Sequence, residues 1–263
     1  MAIAGRASRD HITPWILPIV LIAIWELAAR QGWITQRLLP APSDVAVAFW
    51  ARLWDGSLIK DCLTSSERAL EGLAIGGLLG LILGFINGLS QSAEQATDTT
   101  LQMLRNIPPL AIIPMVILWF GIGEEAKIFL VAYGVLFPIY LNTYHGVRNV
   151  DPALVEMAQV YGLSRYEILT RVIFPGALPS ILVGLRFALG FMWLILIVSE
   201  TISASSGIGF MTMNAREFMQ TDIILLGILL YTLLGKLADV FTRLLERWLL
   251  SWNPAFQGKG ATA

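Results

Sequence analysis

Cysteine and histidine are nearly missing from this chain. Cys62 is the single cysteine, which leaves no intramolecular disulfide and no cysteine-based metal cluster. His11 and His145 are the two histidines, and they give no credible catalytic base beside a nucleophile; neither HExxH nor GxSxG occurs. A GxxxxGK[ST] phosphate loop is absent as well, because Gly235-Lys236 has neither the upstream glycine nor the hydroxyl residue. The chain is therefore not expected to hydrolyse ATP, to bind a cofactor of its own or to act as an enzyme. Charged residues amount to only 14%, and the net charge of −1 with a pI near 6.1 supplies no basic stripe to neutralise phosphates. Nucleic acid is excluded as a partner.

What the chain has instead is apolar length. Hydrophobic residues make up 56% of 263, with a mean hydropathy of +0.68, far above a soluble domain. An all-α, polytopic membrane bundle of about six transmembrane helices in a single domain over 1–263 follows. The first apolar run, Trp15 to Ala29, follows Arg6 and Arg9 and resembles a signal peptide, but Glu26 and the flanking tryptophans at 15 and 25 favour an uncleaved first helix. Between Gln31 and Ser66, Ser43 is the expected N-cap of the helix DVAVAFWARLW, which lies on the membrane surface or packs on the bundle. The second span, about Leu70 to Leu89, places Gly72, Gly76, Gly80, Gly84 and Gly88 at every fourth position. Where lipid gives little hydrophobic gain on association, such a face serves close helix packing, within this chain or along a sliding contact.

Pro108, Pro109 and Pro114 break up the third apolar stretch, so an irregular span beside a pathway, or a kinked helix, is expected there. Fourth, fifth and sixth spans follow at about Ile128 to Tyr144, Leu178 to Ser199 and from Asp222 onward, with a kink expected at Pro138. Arg186 lies about two turns into the fifth span, roughly 12 Å along its axis. A charge there is costly unless it snorkels, pairs with a carboxylate such as Asp239, or meets an anion. Asn106, Arg186 and Glu200 are the polar residues expected to face a translocation path or its gates. Six spans and a cytoplasmic N-terminus place the C-terminus inside too, and the tail from Asn253 is expected to be disordered.

The one long polar segment with helix signals between two hydrophobic spans is DPALVEMAQVYGLSRYEILTRVIFP, Asp151 to Pro175. Asp151 before Pro152 suits an N-cap and first helical position. Gly162 ends that short helix, Ser164 caps a second, and Pro175 is expected to stop it before the next span. By its polarity this could be an ordinary amphipathic connector. Its spacing, however, is distinctive: Glu156-Met157-Ala158, three residues, Gly162, nine residues, then Val172-Ile173-Phe174-Pro175. That pattern resembles the EAA loop of ABC importer permeases, the cytoplasmic element that docks into the ATPase subunit. Met157, Val172 and Phe174 depart from the commonest residues but stay apolar.

The resemblance widens with LQMLRNIPPLAIIPMVILWFGI, AKIFLVAYGVLFPIY, PGALPSILVGLRFALGFMWLILIVSETISA and MNAREFMQTD. These runs are similar to the nitrate, sulfonate, taurine and bicarbonate branch, and within it to aliphatic sulfonate permeases. The resemblance implies a type I ABC importer permease fold in the bacterial inner membrane. It implies a homodimer with two ATP-binding subunits, which hold ATP and magnesium, and a periplasmic substrate-binding protein. It also implies alternating access for an alkanesulfonate used in sulfur assimilation. Glu156, Met157, Ala158, Val160, Tyr161 and Gly162 would then couple to the ATPase. Taurine, nitrate or another small anion stays open as substrate, as does a membrane scaffold that only binds an ATPase.

Overall fold

A computed structural model describes the backbone of residues 4–35 and 37–252, and the side chains from Ile16 onward within them except at 203. The side chains of Arg6, Arg9 and Trp15, and the tail from Asn253, lie outside what is described. The described elements are all helical: α1 Ala4–Arg30, α2 Pro42–Trp54, α3 Ser57–Leu89, α4 Gln91–Arg105, α5 Ile113–Phe120, α6 Glu124–Arg148, α7 Pro152–Val160, α8 Arg165–Ile168, α9 Phe174–Ser203, α10 Ile208–Glu217 and α11 Thr221–Leu249. Among the described residues, four helical stretches are long and apolar enough to cross a membrane: Ser57–Leu89, Glu124–Arg148, Arg165–Ile202 and Thr221–Leu249.

Helix α6 is the centre. The glycines at 72, 76, 80, 84 and 88 lie along it, and a Cβ added at Gly80 or Gly84 would sit 2.6 Å from the Leu136 carbonyl oxygen or the Thr143 Cβ. Contacts advance together along both helices, Gly72 on Val131 and Gly88 on Val147, so α3 and α6 run parallel. The chain must then travel back between them. It does so in pieces, through α4, the irregular residues 107–112 and the eight-residue α5. Eight residues rise only about 12 Å, well short of a bilayer core of about 30 Å, so the expected third span is not one crossing helix. Three prolines remove the N–H groups that one continuous helix would need.

Helix α9 packs antiparallel on α6, with Gly146 against Ala177 and Ser180 at one end and Gly134 against Ile195 further along. Helix α11 runs antiparallel to α9, since Tyr231 meets Glu200 while Glu246 meets Arg186. The ends of α3, α6 and α11 therefore share one end of the bundle with the start of α9. Buried Leu130, Val131, Val135, Met192 and Leu196 form the centre of the core, while Leu70, Leu78, Leu229, Leu233 and Leu237 face outward as lipid-facing side chains do.

Two local expectations are corrected. Ser43 is not the N-cap of α2; Ala41 holds that position, and Ser43 donates from its amide and hydroxyl to Glu26 of α1 at 3.0 and 2.8 Å. Glu26 thus satisfies a free amide at the start of α2 from another helix, and one face of α2, with Val45 and Ala48, packs inward while Val47, Trp50 and Trp54 stay exposed. Pro175 does not stop the preceding helix. Residues Leu169–Ile173 form a π turn, in which the Phe174 amide reaches back to the Leu169 carbonyl, and the helix continues through Pro175 into α9. A wider turn accommodates a proline that has no N–H and would crowd the carbonyl four residues back.

Candidate functional site

The segment between α6 and α9 is built by local rules. The Asp151 carboxylate accepts from the Ala153 amide at 2.9 Å to open α7. At its end Gly162 has φ +77°, and the amides of Gly162 and Leu163 return to the carbonyls of Gln159 and Ala158 at 2.9 and 3.0 Å. This crossed pair of bonds is a Schellman closure, which needs the left-handed residue that glycine supplies. Ser164 and Glu167 then cap α8 reciprocally, the Ser164 amide donating to the Glu167 carboxylate at 3.0 Å.

That scaffold presents a defined face. Val160 and Tyr161 are 87% and 78% exposed, and Met157, Leu154 and Tyr166 are exposed beside them. Glu156 and Gly162 are exposed too. Ala158 is 4% exposed and turns into the chain, so it does not share the outward face of Met157 and Val160. An apolar side chain cluster with a carboxylate on a short rigid helix is the chemistry of a helix that seats in a partner's groove.

The three polar residues read as pathway groups are not brought together. Asn106 is exposed and closes α4, its amide reaching the Gln102 and Met103 carbonyls. Arg186 is paired with α11, at 2.9 Å to the Glu246 carboxylate and 3.6 Å to Asp239, which also holds Arg243 at 3.0 Å. Glu200 is enclosed at the far end of α9. Its carboxylate accepts from Arg68 at 2.7 Å, the Gly209 amide at 2.8 Å, the Ser65 hydroxyl at 2.8 and 2.9 Å, and the Tyr231 hydroxyl at 3.2 Å. Neither Arg186 nor Glu200 presents a free charge.

Sequence reasoning missed Arg68, whose side chain is 3% exposed and occupies all its donors. Besides Glu200 it binds both oxygens of Glu124, the Ser206 carbonyl at 2.7 Å and the Ser206 hydroxyl at 2.9 Å. Buried Lys127 holds Glu124 from α6 at 3.0 Å. On the same side of α3, Ser65 accepts from the Ile208 amide at 2.9 Å and Asp61 from the Gly207 amide at 3.1 Å. One guanidinium therefore ties α3 to α6, α9 and the turn before α10. The signal was the spacing of Asp61, Ser65 and Arg68, four and three residues apart, which sets all three on one helix face. It was overlooked because the apolar run starts at Leu70. Among the described residues, no three His, Cys, Asp or Glu side chains converge as metal ligands would.

A bundle of long apolar helices, with a broken crossing and a short exposed helical face between two spans, defines a polytopic membrane protein of the transporter type. Residues 76–251 match the family described as binding-protein-dependent transport system inner membrane component, and this chain belongs to that family. It is 61% identical to SsuC of Escherichia coli (strain K12), whose name is that of an aliphatic sulfonates transport permease protein, over 96% of each chain. With the SsuC protein of Bacillus subtilis (strain 168) it shares 43% identity, covering 97% of this chain and 92% of that one. The E. coli taurine transport system permease protein TauC is 35% identical over 90% of this chain and 88% of its own. Among solved structures, the MetNI methionine ABC transporter matches with a TM-score of 0.51 at 18% identity, over 67% of this chain and 92% of that chain. A second amino acid ABC transporter reaches 0.55 at 16%, over 76% and 97%. The fold is that of the type I ABC importer permeases.

Proposed function

We propose that this chain is the membrane permease of an ATP-driven importer for aliphatic sulfonates. The observation that carries the reading is identity of 61% over 96% of both chains with a protein named for that transport. Residues 1–263 act as one transmembrane permease domain in the bacterial inner membrane. Two copies pair, with two ATP-binding subunits on one side and a periplasmic substrate-binding protein on the other. ATP and magnesium reside on the ATP-binding subunits and supply the energy; this chain binds neither.

Coupling falls to the exposed face of α7 and its turn. Met157, Val160 and Tyr161 seat in the partner, Glu156 anchors by charge and Gly162 fixes the turn, while Ala158 packs behind them. That face lies at the bundle end where α3, α6 and α11 finish; docking of the ATP-binding subunits there makes that end the cytoplasmic one in this reading, and six crossings would return both termini to it. Helix α9 leaves this segment through the π turn and runs 30 residues, about 45 Å, to the opposite end. Rigid-body motion of the docked segment is thereby delivered to the opposite mouth, as alternating access requires.

The 35% identity with a taurine permease favours taurine as the second reading. The test is uptake of labelled alkanesulfonate into vesicles holding this chain with its ATPase and binding protein, with taurine and nitrate as competitors. ATP-dependent sulfonate uptake that resists both competitors is expected. Uptake of only taurine or nitrate would replace the substrate, and no uptake by a proven, assembled complex would leave a scaffold that merely binds an ATPase.

A further inference from the structure

The end of α9, the length of α10 and the first turns of α11 line an open cavity of about 660 Å³. That is within the range of about 300–1,000 Å³ typical of sites for small organic ligands. Three helix faces converge on it: Ile197 and Thr201 of α9, Thr212 and Arg216 of α10, Ile224 and Ile228 of α11, the last two one turn apart. The wall is electrostatically quiet. Thr201 and Thr212 donate their hydroxyl protons to the Val198 and Gly209 carbonyls of their own chain at 2.8 and 2.7 Å. Tyr231, which also lines the cavity, donates to Glu200.

Arg216 is the exception. It is exposed, it is the sole charged side chain on the lining, and none of the ion pairs formed by the described residues includes it. A guanidinium without a carboxylate beside an aliphatic wall has the chemistry to take an amphiphilic monoanion. The planar fork of N–H donors matches two oxygens of a sulfonate, and the isoleucines desolvate the alkyl chain.

We propose that this cavity is a transit site for the alkanesulfonate within the permease, with Arg216 at the headgroup and Ile197, Ile224 and Ile228 along the chain. The inference rests on the sulfonate reading given above. It adds that the permease itself selects the substrate by alkyl length, after release from the binding protein.

The experiment uses the assembled complex with Cys62→Ser and Ile228→Cys, in nanodiscs for labelling and in vesicles for uptake, and the parent reading is judged on uptake by Cys62→Ser with Ile228 intact. The rate of maleimide labelling at position 228 is measured against ethane-, butane-, hexane- and octanesulfonate. Protection that strengthens along this series is expected. Arg216→Gln should weaken protection at least tenfold, and Arg216→Lys should retain part of it. A complex that transports sulfonate but shows no protection by any member of the series overturns the site and leaves the proposed function standing. Protection that follows the phospholipid composition of the nanodisc, and not added sulfonate, assigns the cavity to lipid and also overturns it. A complex that transports taurine or nitrate and no alkanesulfonate defeats the parent reading, and the transit site with it.

Discussion

Arg68 and Arg186 are both arginines inside an apolar bundle, yet their surroundings set different energies. Arg68 is closed in with all donors used, and Glu200 opposite it is 1% exposed. Truncating one member of such a pair leaves the other charge buried without compensation, which costs about 3–5 kcal/mol. Arg186 keeps 39% of its side chain accessible, and its partner Asp239 also pairs with Lys236 and Arg243, so only Glu246, 13% accessible, depends on it; a part-accessible, shared pair is worth much less than an enclosed one, about 1 kcal/mol where it is exposed. Unfolding of purified protein in detergent should therefore rank Arg68→Ala far below Arg186→Ala in stability. The double variant Arg68→Ala/Glu200→Ala should lose less than the sum of its two single changes, because the second change removes the stranded carboxylate. Equal losses for the two arginines, or simple additivity in the cycle, would refute the assignment of Arg68 as the tie between α3, α6 and α9.

Helices follow a different logic, in which backbone proximity counts for more than any one side chain. Gly84 lies so close to α6 that an added Cβ meets the Thr143 side chain and the Tyr140 carbonyl at 2.6 and 2.8 Å, whereas one added at Gly235 of α11 meets nothing within 4 Å. Gly84→Val should destabilise by at least about 1–3 kcal/mol through overpacking. Gly235→Ala should be neutral, or gain up to about 1 kcal/mol from helix propensity. Melting temperatures in detergent check both; a tolerated valine at 84 would mean that α3 and α6 are not locked along this face. The period of the glycines was readable in the sequence because small residues at every fourth position define a face by helix geometry alone. Their partner was not, since a face does not name what covers it, and the parallel sense of α3 and α6 appears only when the broken return through α4 and α5 is seen. Prolines at 108, 109 and 114 did announce that break. Ser43 and Pro175 misled for a common reason: each is a local signal overridden from elsewhere, Ser43 by Glu26 of α1 and Pro175 by the π turn that makes room for it. Asp61, Ser65 and Arg68 were readable as one helix face, but only tertiary packing shows that the face is buried against Glu200 and the turn at 206–208.

For the whole molecule, the question is how a small exposed segment at one end reaches the other. The exposed residues of the proposed coupling face, Met157, Val160 and Tyr161, are read from spacing, and their placement rests on Gly162 holding φ +77°. Proline fixes φ near −65° and has no N–H, so Gly162→Pro removes both the left-handed turn and the bond to the Gln159 carbonyl. The face would then detach from α8, and with it the rigid route through the π turn into α9. Glu156→Lys leaves that backbone intact and reverses only the exposed charge. Both variants should insert in the membrane normally, because neither residue packs in the bundle, and both should lose transport together with substrate-stimulated ATP hydrolysis. The two losses must be measured on the same assembled complex. If stimulated hydrolysis survives while transport is lost, the segment docks but does not carry the motion, and coupling must run through another contact. If both activities survive in both variants, α7 is a connector and not a coupling element. Loss of both in Gly162→Pro alone would assign coupling to the shape of the turn and remove Glu156 as its charge anchor.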